Sequence, residues 1–183
     1  MDPSLLLSLF LVAATAVASE PTTHPSAPQD IVNPQIDMPG FLDAANAAAE
    51  HRRTHRVSEA QFLDMMAQPG TVVLDARSAE KYAQLHVKGA TNLSFPDITI
   101  ESQGRLIPDK GTRVLIYCNN NFSGAEKPFP AKLVSASLNL STYVTLYDYG
   151  YRNVYELGPN VKLEDSRLPF EGTEKPSDPP QRM

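Results

Sequence analysis

Apolar residues fall along this chain in short blocks separated by turn formers. The densest block, Val114-Leu115-Ile116-Tyr117, lies between Arg113 and Cys118 and runs into Asn119-Asn120-Asn121. Such a run, half of it β-branched, predicts a strand buried on both faces. The asparagines after it favour a turn and tolerate left-handed backbone. Thr71-Val72-Val73-Leu74 repeats the pattern and ends at Asp75; Arg56-Val57, Ala90 to Phe95 and Asn153 to Leu157 are further strand candidates. Between these blocks the spacing becomes helical. Ser58 followed by Gln61 has the form of a capping box ahead of Phe62, Leu63, Met65 and Met66, and Pro69-Gly70 closes that helix. Ser78 caps a segment carrying Glu80, Tyr82 and Leu85, and His86 to Gly89 reads as a turn. Residues 97–103 form a weak helix and 104–111 a loop. Ser141 caps a helix from Thr142 to about Tyr149 that Gly150 stops. Strands alternating with helices predict an α/β fold, a parallel sheet with helices on both faces.

The two ends differ from this middle. Leu5 to Ala18 is apolar apart from Ser8 and Thr15 and closes in Ala16-Val17-Ala18, the form of a secretory signal peptide over 1–18, although the residues before it include Asp2 and no Lys or Arg. The run is short for a membrane span, so no stable span is expected after cleavage. Residues 19–40, with Pro21, Pro25, Pro28, Pro34 and Pro39, read as a linker. An Ala-rich leader helix is expected at 41–54, the domain proper at 55–160, and an extended or disordered tail at 161–183. A secreted or periplasmic location follows from the leader.

Composition narrows the chemistry. Among 183 residues, 42% are hydrophobic and 20% charged, values suited to one globular domain with flanking segments. A net charge of −5 leaves no basic footprint for nucleic acid. A single cysteine, Cys118, excludes an intrachain disulfide and a multi-cysteine zinc site. His51 and His55 share a helical spacing, but no acid lies between them, and a solvated basic helix end accounts for them better than a metal. The lone thiol stands at the carboxyl end of a buried strand, where open α/β sheets bind their ligands. In an exported protein it is either kept for chemistry or buried and inert.

Asp75-Ala76-Arg77-Ser78-Ala79-Glu80-Lys81-Tyr82, His86-Val87-Lys88-Gly89-Ala90-Thr91-Asn92, the strand ending in Cys118, and Gly150-Tyr151-Arg152-Asn153-Val154-Tyr155-Glu156-Leu157 together resemble the rhodanese-like domain family. The resemblance spans about residues 55–160. It implies a rhodanese-like fold of about five parallel strands flanked by helices. It also implies sulfurtransferase activity without a metal or organic cofactor. In the family a cysteine, matched here by Cys118, takes sulfane sulfur from a donor such as thiosulfate and passes it to cyanide or a thiol. The expected small partners are therefore a sulfur-containing anion and a thiol acceptor.

A cysteine attacks as its thiolate, and a free thiol ionises only near pH ~8.5. Positive potential shielded from bulk solvent favours the ionised form. Two sources suggest themselves: a nest of backbone N–H groups over Asn119, Asn120, Asn121, Phe122, Ser123 and Gly124, and the positive end of the helix capped at Ser141. Asp75 could line the pocket floor or serve a turn, Arg77 and Glu80 could pair locally, and Lys127 is the first cation after the cysteine. His86 is expected to be structural. The chain departs from the family in one respect. Residues 119–140 separate Cys118 from the helix cap, where an active member closes its loop over about six residues, often with a cation. The absence of an arginine next to the thiol also disfavours phosphoryl transfer. The insertion, with Phe122, Phe129 and Leu133, could act as a lid, contact a protein partner, or fill the pocket. A catalytically inactive rhodanese-like binding or sensor module is therefore the alternative to a Cys118 sulfurtransferase.

Overall fold

The computed structural model describes residues 33–174. The expected signal peptide, most of the linker and the end of the tail lie outside the described residues. A compact unit begins at Asp37. Its elements in chain order are α1 (Met38–Arg52), β1 (Arg56–Val57), α2 (Glu59–Met66), β2 (Thr71–Asp75), α3 (Ala79–Gln84), β3 (His86–Val87), β4 (Thr91–Asn92), α4 (Ile100–Leu106), β5 (Arg113–Tyr117), β6 (Phe122–Ser123), α5 (Leu138–Asp148), β7 (Val154–Leu157), β8 (Val161–Lys162) and β9 (Phe170–Glu171).

Five strands form one sheet in the order β1-β7-β5-β2-β4, and every pairing within it is parallel. β5 is the central strand, as its continuous apolar run requires. Its side chains alternate between two cores. Leu115 and Tyr117 pack with Phe62, Leu85, Val87 and Leu157 on one face; Val114 and Ile116 pack with Ala48, Leu74, Tyr143, Leu146 and Val154 on the other. Each fully buried aliphatic side chain contributes about 1.5–3 kcal/mol. α1 lies against α5, and α5 against β5 and β7, so the leader helix is part of the second core.

Several boundaries differ from the expectation: His86–Val87 is a strand where a turn was expected, and the strand expected over 90–95 is confined to Thr91–Asn92. α1 starts at Met38 because the Asp37 carboxylate caps the Gly40 N–H at 2.9 Å, and Pro39 fits the first turn, where its missing N–H costs nothing. α4 occupies 100–106, not 97–103, because Thr99 and Ser102 cap each other there. α5 starts at Leu138 with Ser137 as its cap, one turn ahead of Ser141. The stretch from 161 to 171 is not an extended tail. β8 pairs with β6, β9 pairs with β3, and Leu168 is buried. Those strands are two residues each and pair across long sequence separations, so no local periodicity marks them.

Arg77 does not pair with Glu80. Its guanidinium is 1% exposed and lies on Asp75, 0% exposed, with Nη2 to Oδ2 at 2.6 Å. Nη1 and Nη2 also donate to the Pro128 and Leu85 carbonyls at 2.8 and 2.7 Å, and Phe129 stacks on the guanidinium at 4.2 Å. Tyr117 donates its hydroxyl to Asp75 Oδ2 at 2.6 Å and accepts the Val87 N–H at 3.0 Å. Burial, then the Asp75 charge, push the phenol well above its usual range, so it stays a donor. Asp75 therefore ties β2 to the far loop. His86 stacks on Tyr82 with ring centres 3.7 Å apart and bonds the Tyr82 carbonyl and Glu171, a structural role.

Removing one partner of the Asp75–Arg77 pair strands a buried charge. Arg77→Met is predicted to lower unfolding free energy by about 3–5 kcal/mol in urea titrations. A second prediction concerns α1. His51 contacts the Tyr143 hydroxyl at 2.8 Å, and burial, then His55 and Arg152, lower its pKa from 6.5. A histidine with a lowered folded pKa favours the folded state above the unfolded value and loses that contribution as pH falls. Tm is predicted to fall on going from pH 7.5 towards pH 5.5, and His51→Gln should flatten that slope.

Candidate functional site

Cys118 directly follows β5, and residues 119–121 form a single 3-10 turn after it. Asn121 closes that turn onto Cys118: its Oδ1 accepts the Cys118 N–H at 2.8 Å and its own N–H returns to the Cys118 carbonyl at 3.1 Å. The same amide side chain donates to the Leu157 and Pro159 carbonyls at 2.7 and 3.1 Å, and its oxygen also accepts from Asn139 Nδ2 at 2.9 Å. One side chain thus joins the ends of β5 and β7 to the first turn of α5.

The sulfur of Cys118, 1% exposed, lies 3.2 Å from the Ser137 hydroxyl. Ser137 is the N-cap residue of α5, yet its side chain makes no capping bond to the helix. The hydroxyl is turned to the sulfur instead. The N-terminal end of an eleven-residue helix therefore stands beside Cys118.

A cleft of about 170 Å³ opens on this pair. Besides Cys118 and Ser137, it is lined by Asn120, Asn121, Asn139 and Leu140, by Val134 and Gly158 at its rim, and by Arg52, Arg56 and Glu156. Glu156 is 3% exposed in β7. Arg52 holds its carboxylate with Nε on Oε2 and Nη2 on Oε1, the latter at 2.7 Å. The hydrogen bond to Glu156 is the main cause that raises the Arg52 pKa. Gly158 leaves room for the neighbouring strand: a Cβ there would stand 3.1 Å from the Val57 carbonyl oxygen and 3.7 Å from the Arg56 Cβ.

The profile of the rhodanese-like domain matches residues 58–157, more than half of the chain. The chain belongs to the rhodanese-like domain family. No curated protein sequence matches it. Among solved structures it is similar to the BH2092 protein from Bacillus halodurans, with 20% identity over 73% of this chain and 88% of that one and a TM-score of 0.49. It is also similar to a rhodanese with anions from E. coli (26% identity, 56% of this chain, 98% of that one, TM-score 0.39). A third is a thiosulfate sulfurtransferase from Pseudomonas aeruginosa (20% identity, 67% of this chain but 21% of that one, TM-score 0.45). The family is of sulfurtransferase type, and the five-stranded parallel sheet is its fold.

Within this rhodanese-like domain the sequence-predicted site residues separate. Cys118, Asn120 and Asn121 line the cleft. Asn119 turns away and donates to the Pro130 carbonyl at 2.9 Å. Phe122 is 3% exposed in the opposite core, against Tyr117, Phe129 and Phe170. It neither seals the sulfur nor touches the cleft. Ser123 pairs with Lys162 in β6–β8, Gly124 makes a turn at φ +79°, Asp75 is held by Arg77, and Lys127 pairs with Glu174. The left-handed nest expected over the asparagines does not form: among the described residues only glycines have positive φ. The insertion is tied down by Asn120, whose side chain exchanges hydrogen bonds with the Lys132 backbone. Its Leu133 and Val134 are 79% and 84% exposed, whereas Phe129 is buried.

Arg52, Arg56, Glu156 and Ser137 were not anticipated. Glu156 carried the clearest signal. A carboxylate inside the run Val154-Tyr155-Glu156-Leu157 needs a cation or a donor when that run is a buried strand. Asn121-Phe122-Ser123 and Asn139-Leu140-Ser141 have the form of glycosylation sequons, but both amides lie in the buried cluster around Cys118, so neither is free to carry a glycan.

Asn121→Ala removes the partners of a buried N–H, two carbonyls and an amide at once. It is predicted to cost about 2 kcal/mol or more of unfolding free energy. Asn121→Asp, which sets a carboxylate oxygen against the Leu157 and Pro159 carbonyls and buries a charge, should cost at least as much in the same urea titration.

Proposed function

We propose that the protein is a sulfurtransferase that moves sulfane sulfur from a thiosulfate-like donor to a thiophilic acceptor through a persulfide on Cys118. The observation that supports it is the placement of the sulfur at the end of the central strand, in a cleft, against the Ser137 hydroxyl and the first turn of α5. Those groups are fixed before any ligand arrives, which is the condition for electrostatic stabilisation without reorganisation.

The first step begins once the Cys118 proton has passed to solvent. The thiolate attacks the outer sulfur of thiosulfate, a Cys–S bond to sulfur forms, and the donor's S–S bond breaks. The bonding pair leaves with sulfite, and the new terminal sulfur carries the negative charge. Ser137 donates its hydroxyl to that charge. In the second step a nucleophile, cyanide or a thiolate, takes the terminal sulfur, and the pair of the cleaved bond returns to Cys118 as thiolate. No outside oxidant or reductant enters. The apolar run Leu5 to Ala18 supports a location for this exchange outside the cytoplasm.

Incubation with thiosulfate followed by intact mass measurement is predicted to show a gain of one sulfur atom, absent in Cys118→Ser and released as thiocyanate by cyanide. Ser137→Ala should slow formation of the persulfide about tenfold or more while leaving Cys118 in place. An unchanged mass with no thiocyanate would overturn the reading and leave a binding module built on the same scaffold.

A further inference from the structure

The family match begins at residue 58, and both basic side chains of the cleft precede it. The loop after Cys118 carries Lys127 and Lys132, but neither lines the cleft, and Lys127 pairs with Glu174. Arg52 and Arg56 come from the last turn of α1 and from β1. They are not equivalent. Arg52 is 25% exposed and gives both an Nε and an Nη donor to Glu156, one to each carboxylate oxygen. Arg56 is 47% exposed; its Nε stands 3.8 Å from Glu156 Oε1, beyond hydrogen-bond reach, and its Nη2 is anchored on the Gly158 carbonyl at 2.9 Å. Two guanidinium groups around one carboxylate leave one positive charge unmatched, and the geometry puts it on Arg56.

We propose that Arg56 receives the oxyanion end of the sulfur donor, while Arg52 and Glu156 form the internal pair that holds that charge at the cleft. This rests on the sulfurtransferase reading and adds to it the residue that recognises the donor. The ligand class is a small sulfonate-bearing dianion such as thiosulfate. Its sulfane sulfur points to Cys118 and its oxygens point to the strand β1 side. A guanidinium anchored at one Nη by a carbonyl keeps further N–H donors for such oxygens, and a planar fork suits them better than a point charge. The domain's sulfur chemistry then depends on a cation brought by the segment in front of the family-matched region. Gly158 supports it by letting β1 approach closely and by supplying the anchoring carbonyl.

Two readouts on the full chain test this. In a Cys118→Ser background, where no sulfur is transferred, thiosulfate binding is followed by amide chemical shifts. Arg56→Gln is expected to weaken it about tenfold, Arg56→Lys less, and added salt should weaken the parent more than the Gln variant. In the Cys118 protein, Arg56→Gln is expected to raise the KM for thiosulfate with a smaller change in kcat. Thiosulfate binding unchanged in Arg56→Gln, with folding intact by circular dichroism, overturns the proposal even where persulfide still forms. Binding that depends on Arg56 without any persulfide in the parent refutes the sulfurtransferase reading and leaves the anion site standing.

Discussion

The site depends on the hydrogen bonding of one amide side chain. Asn121 takes the Cys118 N–H, gives its own two hydrogens to the carbonyls of Leu157 and Pro159, and receives Asn139 from α5. Each bond alone contributes about 1 kcal/mol. Together they lock three segments that the sheet and core already bring side by side: the exit of the central strand, the exit of its neighbour β7, and the start of the helix that follows a long connection. A buried polar cluster of this kind tolerates few substitutions, because any member removed leaves its partners without water or protein to replace it.

That arrangement explains how a thiol loop with an insertion can still present its cysteine. The connection from residue 119 to 136 is not draped over the sulfur. Its apolar residues divide: Phe122 and Phe129 complete the core beneath Arg77, and Leu133 and Val134 stay at the surface. The chain returns at Ser137 just where a short loop would have entered the helix, and the Ser137 hydroxyl faces the sulfur. The two cations of the connection, Lys127 and Lys132, do not line the cleft. The cleft draws its positive charge from α1 and β1, held by a buried glutamate of the sheet. Leader helix, sheet and insertion are thus joined through the cleft.

Much of the fold was legible in the sequence. Val114 to Tyr117 and Thr71 to Leu74 are continuous apolar runs that only a doubly covered sheet can bury, and Ser58 with Gln61 marked the start of α2 on capping chemistry alone. What stayed hidden was made by tertiary pairing. β8 and β9 are two-residue strands whose partners lie far away in the chain, and Ser137 was passed over for Ser141 because both are serines ahead of apolar residues. At the site the sequence pointed to Cys118, Asn120 and Asn121 but not to their surroundings. Arg52 read as part of a solvated basic helix end and Arg56 as the start of a strand, and nothing local linked either to Glu156. Asp75 read as a pocket residue or a turn former, and its Oδ1 does accept the Arg77 N–H at 3.0 Å; Arg77 read as the partner of Glu80, although it pairs with Asp75 in the core. The asparagines were expected in left-handed backbone, yet their side chains do the bonding and the backbone needs no positive φ.

The most direct test is a crystal structure of the full chain after exposure to thiosulfate. The account predicts density for one additional sulfur bonded to Cys118 Sγ, projecting into the cleft within hydrogen-bond distance of the Ser137 hydroxyl, with Asn121 still bonded to the Cys118 N–H. An unmodified Cys118 with its sulfur still on Ser137, in a cleft that thiosulfate has entered, would contradict it.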